Sequence, residues 1–340
     1  MVLGLDTPLK QGIFATYVSL WVSSYLLVFA SKQAGAPPYN ATSVVLLTEL
    51  VKLCMAVGLY LRRDGTTAQL VLAISHSLPL LMKYSIPAML YCIYNNLVYV
   101  NLKTFDPGTY NVLMQLRIVI TGVIYQQAFA KRLNRYQWAA LVLISLGCMV
   151  KESAKLTSSE GLRANQAAWL LLLCQMLASV FAGVYNEVLL KGDGAVAPPG
   201  GGGVTTNLQN AYMYFQSVAW NGVFLLAQGR LGEALAADNM AAVFSPTVLA
   251  IIGIMSSVGL VTGFFLKHLD SVLKSIASAL EVVLTTIASN LCFGTPLDAT
   301  GVGAAVLVGI GVALYARPVP SPTRREYELL PTKPEGQGEA

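Results

Sequence analysis

Long apolar runs recur along almost the whole chain, and each is long enough to cross a lipid bilayer as a helix. A spanning helix needs about 20 mostly apolar residues, and about ten such runs can be read from the sequence. The chain is 55% hydrophobic and only 11% charged, whereas soluble proteins are about 25% charged. The sequence therefore predicts an all-α polytopic membrane protein with about ten transmembrane helices. The runs are residues 12–31, 43–61, 83–103, 107–128, 135–151, 167–190, 205–228, 245–266, 271–294 and 297–316.

Two stretches of the chain resemble each other at a constant separation, which indicates an internal repeat. Residues 102–121 read LKTFDPGTYNVLMQLRIVIT, and residues 266–285 read LKHLDSVLKSIASALEVVLT. In this alignment Arg117 falls on Glu281. The repeat pairs the fourth and fifth runs with the ninth and tenth, so each half would contain five helices. Because five is an odd number, the second half would enter the membrane from the opposite side, which predicts two inverted five-helix repeats.

Composition suggests where the halves and their flanking segments begin and end. We predict a cytosolic N-terminus at 1–11, a first repeat at 12–155, a second repeat at 156–317 and a disordered cytosolic tail at 318–340. The stretch 192–204, GDGAVAPPGGGGV, is typical of a flexible Gly/Pro loop. Loops on the side of the two termini carry about twice as many Lys and Arg residues as the opposite loops, which places both termini in the cytosol.

Glycines in the closing runs of the two halves favour close helix contacts. Gly147 lies in the fifth run, and Gly309 and Gly311 lie in the tenth. Membrane helices carry small residues where their backbones approach closely. We therefore expect close backbone approach at these positions.

Polar side chains recur at helical spacing inside four of the apolar runs, and residues three or four apart share one helix face. Two of the stripes contain cations, Arg117 and Lys274. A charge at mid-bilayer costs about 2.5–3.5 kcal/mol on insertion scales, so each needs a reason. The stripes should converge, because otherwise each would face lipid. A polar, aromatic-lined cavity with two cations would suit an anionic ligand that carries rings or hydroxyls. The stripes are Tyr91, Asn95 and Tyr99; Tyr110, Met114, Arg117 and Thr121; Asn207, Asn210, Tyr214, Ser217 and Asn221; and Lys274, Ser278, Glu281 and Thr285.

Structural roles explain several of these residues without any ligand. Asn, Ser and Thr also join helices through hydrogen bonds. Arg117 and Glu281 occupy equivalent positions of the repeat and would neutralise each other as a buried ion pair. Such a pair would also serve as a gate if Glu281 holds Arg117 only while the site is empty. Glu49 and Lys52, three residues apart, are typical of a local pair. Lys274 has no carboxylate four residues away, which favours a ligand contact.

The sequence carries no residue set typical of catalysis or metal binding. The two histidines, His76 and His268, are isolated, and the five cysteines form no CxxC pair. The patterns G-x-S-x-G and H-E-x-x-H are absent from the sequence. Lys and Arg residues are scattered between apolar runs, which disfavours nucleic acid as a partner. We predict a membrane carrier rather than an enzyme, with no cofactor and no metal; a homodimer remains open.

The stretch YCIYNNLVYVNLKTFDPGTYNVLMQLRIVITGVIYQQAFAKRLNRYQWAAL resembles the signature region of nucleotide-sugar transporters. The similarity is strongest to the CMP-sialic acid, UDP-galactose and UDP-N-acetylglucosamine group, and it extends over roughly 12–316. TELVKL, FAGVYNEVLLK, GLVTGFFLKHLDSVLK and LTTIASNLCFG resemble other landmarks of this group. The resemblance implies the drug/metabolite transporter fold and a Golgi membrane location. It also implies exchange of a cytosolic CMP- or UDP-linked sugar for a lumenal nucleoside monophosphate by alternating access.

The resemblance also implies which positions contact the substrate, and most of them belong to the polar stripes. Four positions depart from the family pattern: Arg117 replaces a Lys, Tyr94 a Gln, Met114 a Tyr, and Glu281 a small apolar residue. The base and the sugar therefore stay undecided. The implied substrate-binding residues are Tyr91, Asn95, Tyr110, Arg117, Asn210, Tyr214 and Lys274.

Two other interpretations of the function remain. One is a drug/metabolite-type carrier for another organic anion, such as a sugar phosphate, and the other is a non-transporting scaffold for glycosyltransferases.

Overall fold

The described part of the chain is helical and contains no β-strand within the ranges that the structure covers. The computed structural model describes residues 2–33, 40–105, 107–153, 166–192, 204–234 and 236–317. The predicted tail 318–340, most of the predicted loop 192–204 and the boundary between the predicted repeats lie outside these ranges. After a 3₁₀ turn at Val2–Gly4, the helices are α1 (Pro8–Gln33), α2 (Ala41–Arg63), α3 (Thr67–His76), α4 (Leu78–Lys83), α5 (Ser85–Asn101), α6 (Pro107–Met114), α7 (Arg117–Phe129), α8 (Arg135–Ser153), α9 (Gln166–Lys191), α10 (Thr206–Ala227), α11 (Leu231–Ala234), α12 (Ala237–Val243), α13 (Pro246–His268), α14 (Ser271–Phe293) and α15 (Ala299–Tyr315).

Every predicted apolar run overlaps at least one of these helices. Six helical stretches in the described part are long and apolar enough to cross a membrane. A seventh is added if the bent pair Thr67–His76 and Leu78–Val98, whose axes meet at 73°, counts as one span. Helix α15 is apolar but only 17 residues long. The structure thus confirms an all-helical chain with several candidate membrane spans.

The bend between α3 and α4 has a local cause. Pro79 lies at the start of α4, where proline is tolerated because no helical partner is needed for its nitrogen. Ser77, at the junction, donates its hydroxyl to the carbonyl oxygen of Ala73 at 2.6 Å and is hydrogen-bonded to the Tyr212 hydroxyl at 2.6 Å. These bonds tie the bend to α10 and fix the direction in which α5 leaves it.

The helices pack in a pattern that brings both halves of the chain together. Helix α8 packs along α15, and α2 packs along α10. Helix α5 contacts α9 and α10, while α13 contacts α1 and α2. Helices α7 and α14 pack against α9 and α1, respectively. Apolar residues of α1, α7, α8, α13, α14 and α15 form one large cluster, and residues of α2, α3, α4, α5, α9, α10 and α13 form a second.

Two of the three expected glycines lie at the contact between α8 and α15. A β-carbon on Gly147 would approach Val308 Cγ2 to 2.9 Å, and one on Gly311 would approach Ile144 Cγ1 to 2.5 Å. A β-carbon on Gly309 would meet nothing within 4 Å. Close approach therefore depends on Gly147 and Gly311, whereas Gly309 lies on another face of α15.

Substitution of Gly311 by alanine should destabilise the protein, because the added methyl group overlaps Ile144. Overpacking of this kind costs about 1–3 kcal/mol, so we expect a lower unfolding temperature for Gly311→Ala in detergent. Gly309→Ala is the matched control on the same helix, and its unfolding temperature should stay at or above that of the wild type. Equal unfolding temperatures for the two variants would contradict the close contact.

Candidate functional site: a polar cavity between seven helices

A cavity of about 620 Å³ lies between α1, α5, α6, α7, α8, α9 and α14. It is lined by aromatic and polar side chains together with the charged residues Arg117, Lys151, Glu152, Lys274 and Glu281. The polar stripes of the fourth and ninth runs, and one residue of the third, converge here. The substrate-binding candidates that line the cavity are Tyr91, Tyr110, Arg117 and Lys274.

Arg117 reaches the cavity from a break in the fourth apolar run. Helix α6 ends at Met114 and α7 begins at Arg117. Between them, Gln115 N donates to Val112 O at 3.2 Å, a tighter i to i−3 bond of the 3₁₀ type. Gln115 O accepts a hydrogen bond from Ile118 N at 3.1 Å and a second one from Ser145 Oγ at 2.9 Å, which ties α8 to the break. Interrupted helices at ligand sites are typical of secondary transporters.

The Arg117 guanidinium is held by a tyrosine. Arg117 Nη1 donates to the Tyr94 hydroxyl at 3.1 Å. Tyr94 projects from α5 and also lines the cavity. The sequence predicted no role for Tyr94 and showed only that it stands where the family has a Gln. In the structure it orients the cation toward the cavity without neutralising it.

Gln175 on α9 organises the tyrosine side of the cavity. Its side chain is fully buried. Gln175 Nε2 donates to the Tyr110 hydroxyl at 2.8 Å and to the Tyr94 carbonyl oxygen at 3.3 Å. Asn101 Nδ2 donates to Gln175 Oε1 at 2.7 Å. This amide therefore fixes Tyr110 in place and ties α5 and α6 to α9.

Helix α14 contributes Lys274 and Glu281 to the same cavity. The helix starts at an N-cap, where Asp270 Oδ1 accepts a hydrogen bond from Leu273 N at 2.7 Å. Lys274 lies near the hydroxyls of Tyr91 and Tyr17 and near the Arg117 guanidinium. Arg117 and Glu281 face one cavity, but no salt bridge within 4.0 Å joins them among the described residues. The suggested ion pair is thus not formed in this structure.

A polar cluster joins α9 and α14 beside the cavity, which Ser271 also lines; we call it the Glu187 latch: Glu187, Lys191, Leu269 and Ser271. Glu187 Oε2 accepts hydrogen bonds from the backbone N–H of Ser271, at 2.7 Å, and from its hydroxyl. Lys191 Nζ lies 2.7 Å from Glu187 Oε1 and donates to the Leu269 carbonyl oxygen. The latch therefore joins the end of α9 to the start of α14.

The opposite end of the cavity reaches partly exposed residues. Lys151 Nζ, in the last turn of α8, lies 3.7 Å from Asp298 Oδ1. Hydrogen bonds from the Thr300 hydroxyl and the Gly301 N–H, with the nearby Lys151 charge, hold the pKa of Asp298 below its usual value. Glu152 lines the cavity next to Lys151. This end has no counterpart of the Glu187 latch among the described residues.

The remaining predicted residues lie outside the cavity lining. Asn95 is half-buried on α5, one turn from Tyr91. Lys52 Nζ lies 2.7 Å from Glu49 Oε1 on α2 and 5.5 Å from the centre of the Tyr214 ring on α10. We call Glu49, Lys52, Asn210 and Tyr214 the α2–α10 cluster.

Two details place this cluster behind the cavity wall. Asn210 is buried and packs against Gly263 of α13 so closely that a β-carbon there would lie 2.0 Å from Asn210 Oδ1. Tyr91 lines the cavity and also packs in the apolar cluster that contains Tyr214. Tyr91 therefore separates the α2–α10 cluster from the cavity.

Comparison with known proteins identifies the family. A sequence profile described as Nucleotide-sugar transporter matches residues 6–316, nearly the whole chain. The UDP-galactose transporter senju of Drosophila melanogaster is 37% identical over 346 residues, which cover 92% of this chain and 87% of that protein. The chain belongs to the nucleotide-sugar transporter family.

More distant relatives agree with this assignment. The mouse UDP-galactose translocator is 29% identical, covering 89% of this chain and 78% of its own length. The CMP-sialic acid transporter 2 of Oryza sativa subsp. indica is 25% identical, covering 93% and 86%. One crystal structure of another protein, at 16% identity, matches 90% of this chain with a TM-score of 0.64, which supports the fold alone. These relatives are transporters, which agrees with the prediction that the chain is not an enzyme, and the protein is a multi-pass membrane protein.

Several cavity residues of this nucleotide-sugar transporter were missed by sequence reasoning. Tyr17, Trp21 and Tyr25 on α1 all line the cavity. Their spacing of four residues places them on one helix face, so the signal was present in the sequence. Gln175 had no such signal, because a single amide in an apolar run is equally typical of helix–helix contacts.

Removal of the Tyr94 hydroxyl should weaken substrate binding by this transporter, because Arg117 loses the partner that orients it. A hydrogen bond to a charged group contributes about 1.5–3 kcal/mol, and cavity water would replace part of it. For Tyr94→Phe we expect affinity for a nucleotide sugar to fall about fivefold, measured by titration of the purified protein. Tyr136→Phe, in the first turn of α8 away from the cavity, is the matched control. Unchanged affinity in Tyr94→Phe would show that the contact does not position Arg117.

Proposed function

We propose that the protein exchanges a cytosolic nucleotide sugar, CMP- or UDP-linked, for a lumenal nucleoside monophosphate by alternating access in the Golgi membrane. The observation that carries this proposal is the placement of Arg117 and Lys274, which come from different helices and face one aromatic-lined cavity. Two cations in a site of low dielectric are costly unless a ligand brings negative charge. A phosphate group supplies that charge, and the surrounding tyrosines suit a base and a sugar.

Helix packing supports an architecture of two inverted five-helix halves. If α1, α2, α5, α7 and α8 correspond to α9, α10, α13, α14 and α15, the contact between α5 and α9 corresponds to that between α13 and α1. The contact between α7 and α9 likewise corresponds to that between α14 and α1, and α5 with α10 to α13 with α2. The pairs α2–α10 and α8–α15 map onto themselves, as contacts across a two-fold axis must. Gly147 and Gly311 are equivalent positions at the α8–α15 contact.

The Glu187 latch supports alternating access. With both termini in the cytosol, as the distribution of basic residues favours, α9 ends and α14 begins on the cytosolic side. The latch then closes the cytosolic end, while the Lys151 end faces the lumen. A structure closed at one end and accessible at the other is one of the two states that rocking of two halves requires.

We assign residue roles from the same geometry. Arg117 and Lys274 hold phosphate, and Tyr91 and Tyr110 line the space beside it. Asn210 has a buried Nδ2 without a hydrogen-bond partner in the described part of the chain, which leaves a donor available to the polar edge of a base. We retain Tyr214 and Asn95 beside it as base contacts that would become accessible when Tyr91 moves.

Coupled exchange follows from the charge of the empty site. An empty carrier would have to move Arg117 and Lys274 through its closed intermediate without a salt-bridge partner for either cation in the described part of the chain. Desolvation of unpaired cations is unfavourable. The loaded carrier meets no such penalty, so reorientation should be fast only with a nucleotide bound.

Proteoliposomes loaded with UMP, CMP or GMP test both the function and the site. We expect uptake of labelled nucleotide sugar only when a matching nucleoside monophosphate is inside. Arg117→Ala and Lys274→Ala should each lower the initial uptake rate at least about tenfold, because loss of one member of a charged contact costs about 2–5 kcal/mol.

Arg132→Ala is the matched control, since Arg132 is exposed in the connection after α7, and it should transport like the wild type. Uptake without internal nucleotide would contradict exchange. Exchange of sugar phosphates that ignores free nucleoside monophosphates would indicate a carrier for another organic anion. Normal uptake by Arg117→Ala and Lys274→Ala would contradict the site.

A further inference from the structure

Glu281 is a largely buried acidic side chain of α14 that faces the central cavity. Only 6% of its surface is exposed, and it lines the central cavity. No hydrogen bond or salt bridge to Glu281 occurs among the described residues, although Arg117 faces the same cavity. Buried carboxylates are normally paired, because an unpaired one is costly. A group that is buried, aimed into a ligand cavity and unpartnered is placed to interact with the ligand itself.

The position of Glu281 along α14 shows which part of the ligand it would meet. Lys274 and Glu281 are seven residues apart, so they lie on one face of the helix and about 10 Å apart along its axis. Phosphate held by Arg117 and Lys274 would therefore leave Glu281 beyond the phosphate, beside the group attached to it. The base contacts proposed above, Asn210 and Tyr214, lie behind Tyr91, and Tyr91 itself lies near Lys274. Glu281 consequently faces the sugar.

The chemistry of a carboxylate distinguishes between two kinds of sugar. Each oxygen of Glu281 accepts hydrogen bonds, and the hydroxyls of an uncharged hexose are donors. A sugar acid carries its own carboxylate, which would be placed near Glu281 in a low-dielectric cavity, where repulsion is strong. Lys151, on the same side of the cavity, already pairs with Asp298. The part of the cavity beyond the phosphate therefore favours an uncharged sugar.

We propose that Glu281 makes this transporter selective for nucleotide sugars with an uncharged sugar and against those with a sugar acid. The inference rests on the proposed transport function, which it deepens by naming the substrate class. An uncharged hexose on a nucleoside diphosphate places both negative charges at Arg117 and Lys274. A sugar acid on a nucleoside monophosphate places one of its two charges against Glu281.

A matched pair of substrates isolates this effect. UDP-glucose and UDP-glucuronate share the base and the diphosphate and differ in one carboxylate on the sugar. In proteoliposomes loaded with UMP, the wild type should prefer UDP-glucose at least about tenfold in initial uptake rate, given the usual cost of like charges brought together in an interface. Glu281→Gln, which keeps the shape of the side chain, should lower this preference at least about fivefold. Glu281→Ala should lower it in the same direction.

Glu233→Gln is the matched control, because Glu233 is 68% exposed on α11 and pairs only with Arg230 in the described structure. It should keep the wild-type preference, and thermal unfolding in detergent verifies that each variant is folded. An unchanged preference in both Glu281 variants would overturn the proposal, as would efficient exchange of CMP-sialic acid by the wild type. A wild type that exchanges no nucleotide sugar and no nucleoside monophosphate would instead overturn the proposed function, and the selectivity inference with it.

Discussion

The cost of keeping Arg117 and Lys274 charged inside a membrane protein is the constraint on which the rest of this structure depends. Neither cation has a salt bridge within the described part of the chain. The carboxylate of Glu281 lines the same cavity but is paired with neither of them. Lipid exposure would be more costly still, so the helices that carry these charges must face each other around a shared polar space. The arrangement of seven helices around one cavity follows from that requirement.

Several local features make the arrangement possible. The helix tightens to a 3₁₀ turn between α6 and α7, just before Arg117, and Ser145 ties α8 to the Gln115 carbonyl at this turn. Tyr94 orients the Arg117 guanidinium, and Gln175 holds Tyr110 through a hydrogen bond. Glycines at the α8–α15 contact allow these two helices to approach each other closely. Packing and polar contacts thus leave the cations accessible to a ligand rather than neutralised by the protein.

Much of the cavity could be predicted from the sequence, because a charge or a tyrosine at helical spacing within an apolar run has few explanations. That reasoning placed Tyr91, Tyr110, Arg117, Lys274 and Glu281 together. It could not show that the stripe of the seventh run faces α2 and α13, since spacing defines a helix face but not its neighbour. It also missed the break after Met114, because the apolar spacing continues through it. Gln175 acts through contacts between helices distant in sequence, which no local pattern reveals.

A structure of the protein with a nucleoside monophosphate bound tests the central claim most directly. The measured quantity is the distance from the phosphate oxygens to Arg117 and Lys274. The account predicts that both cations lie within hydrogen-bond distance of the phosphate, with Glu281 on the side where a sugar would extend. Phosphate bound at another position, with Arg117 paired to Glu281, would contradict it.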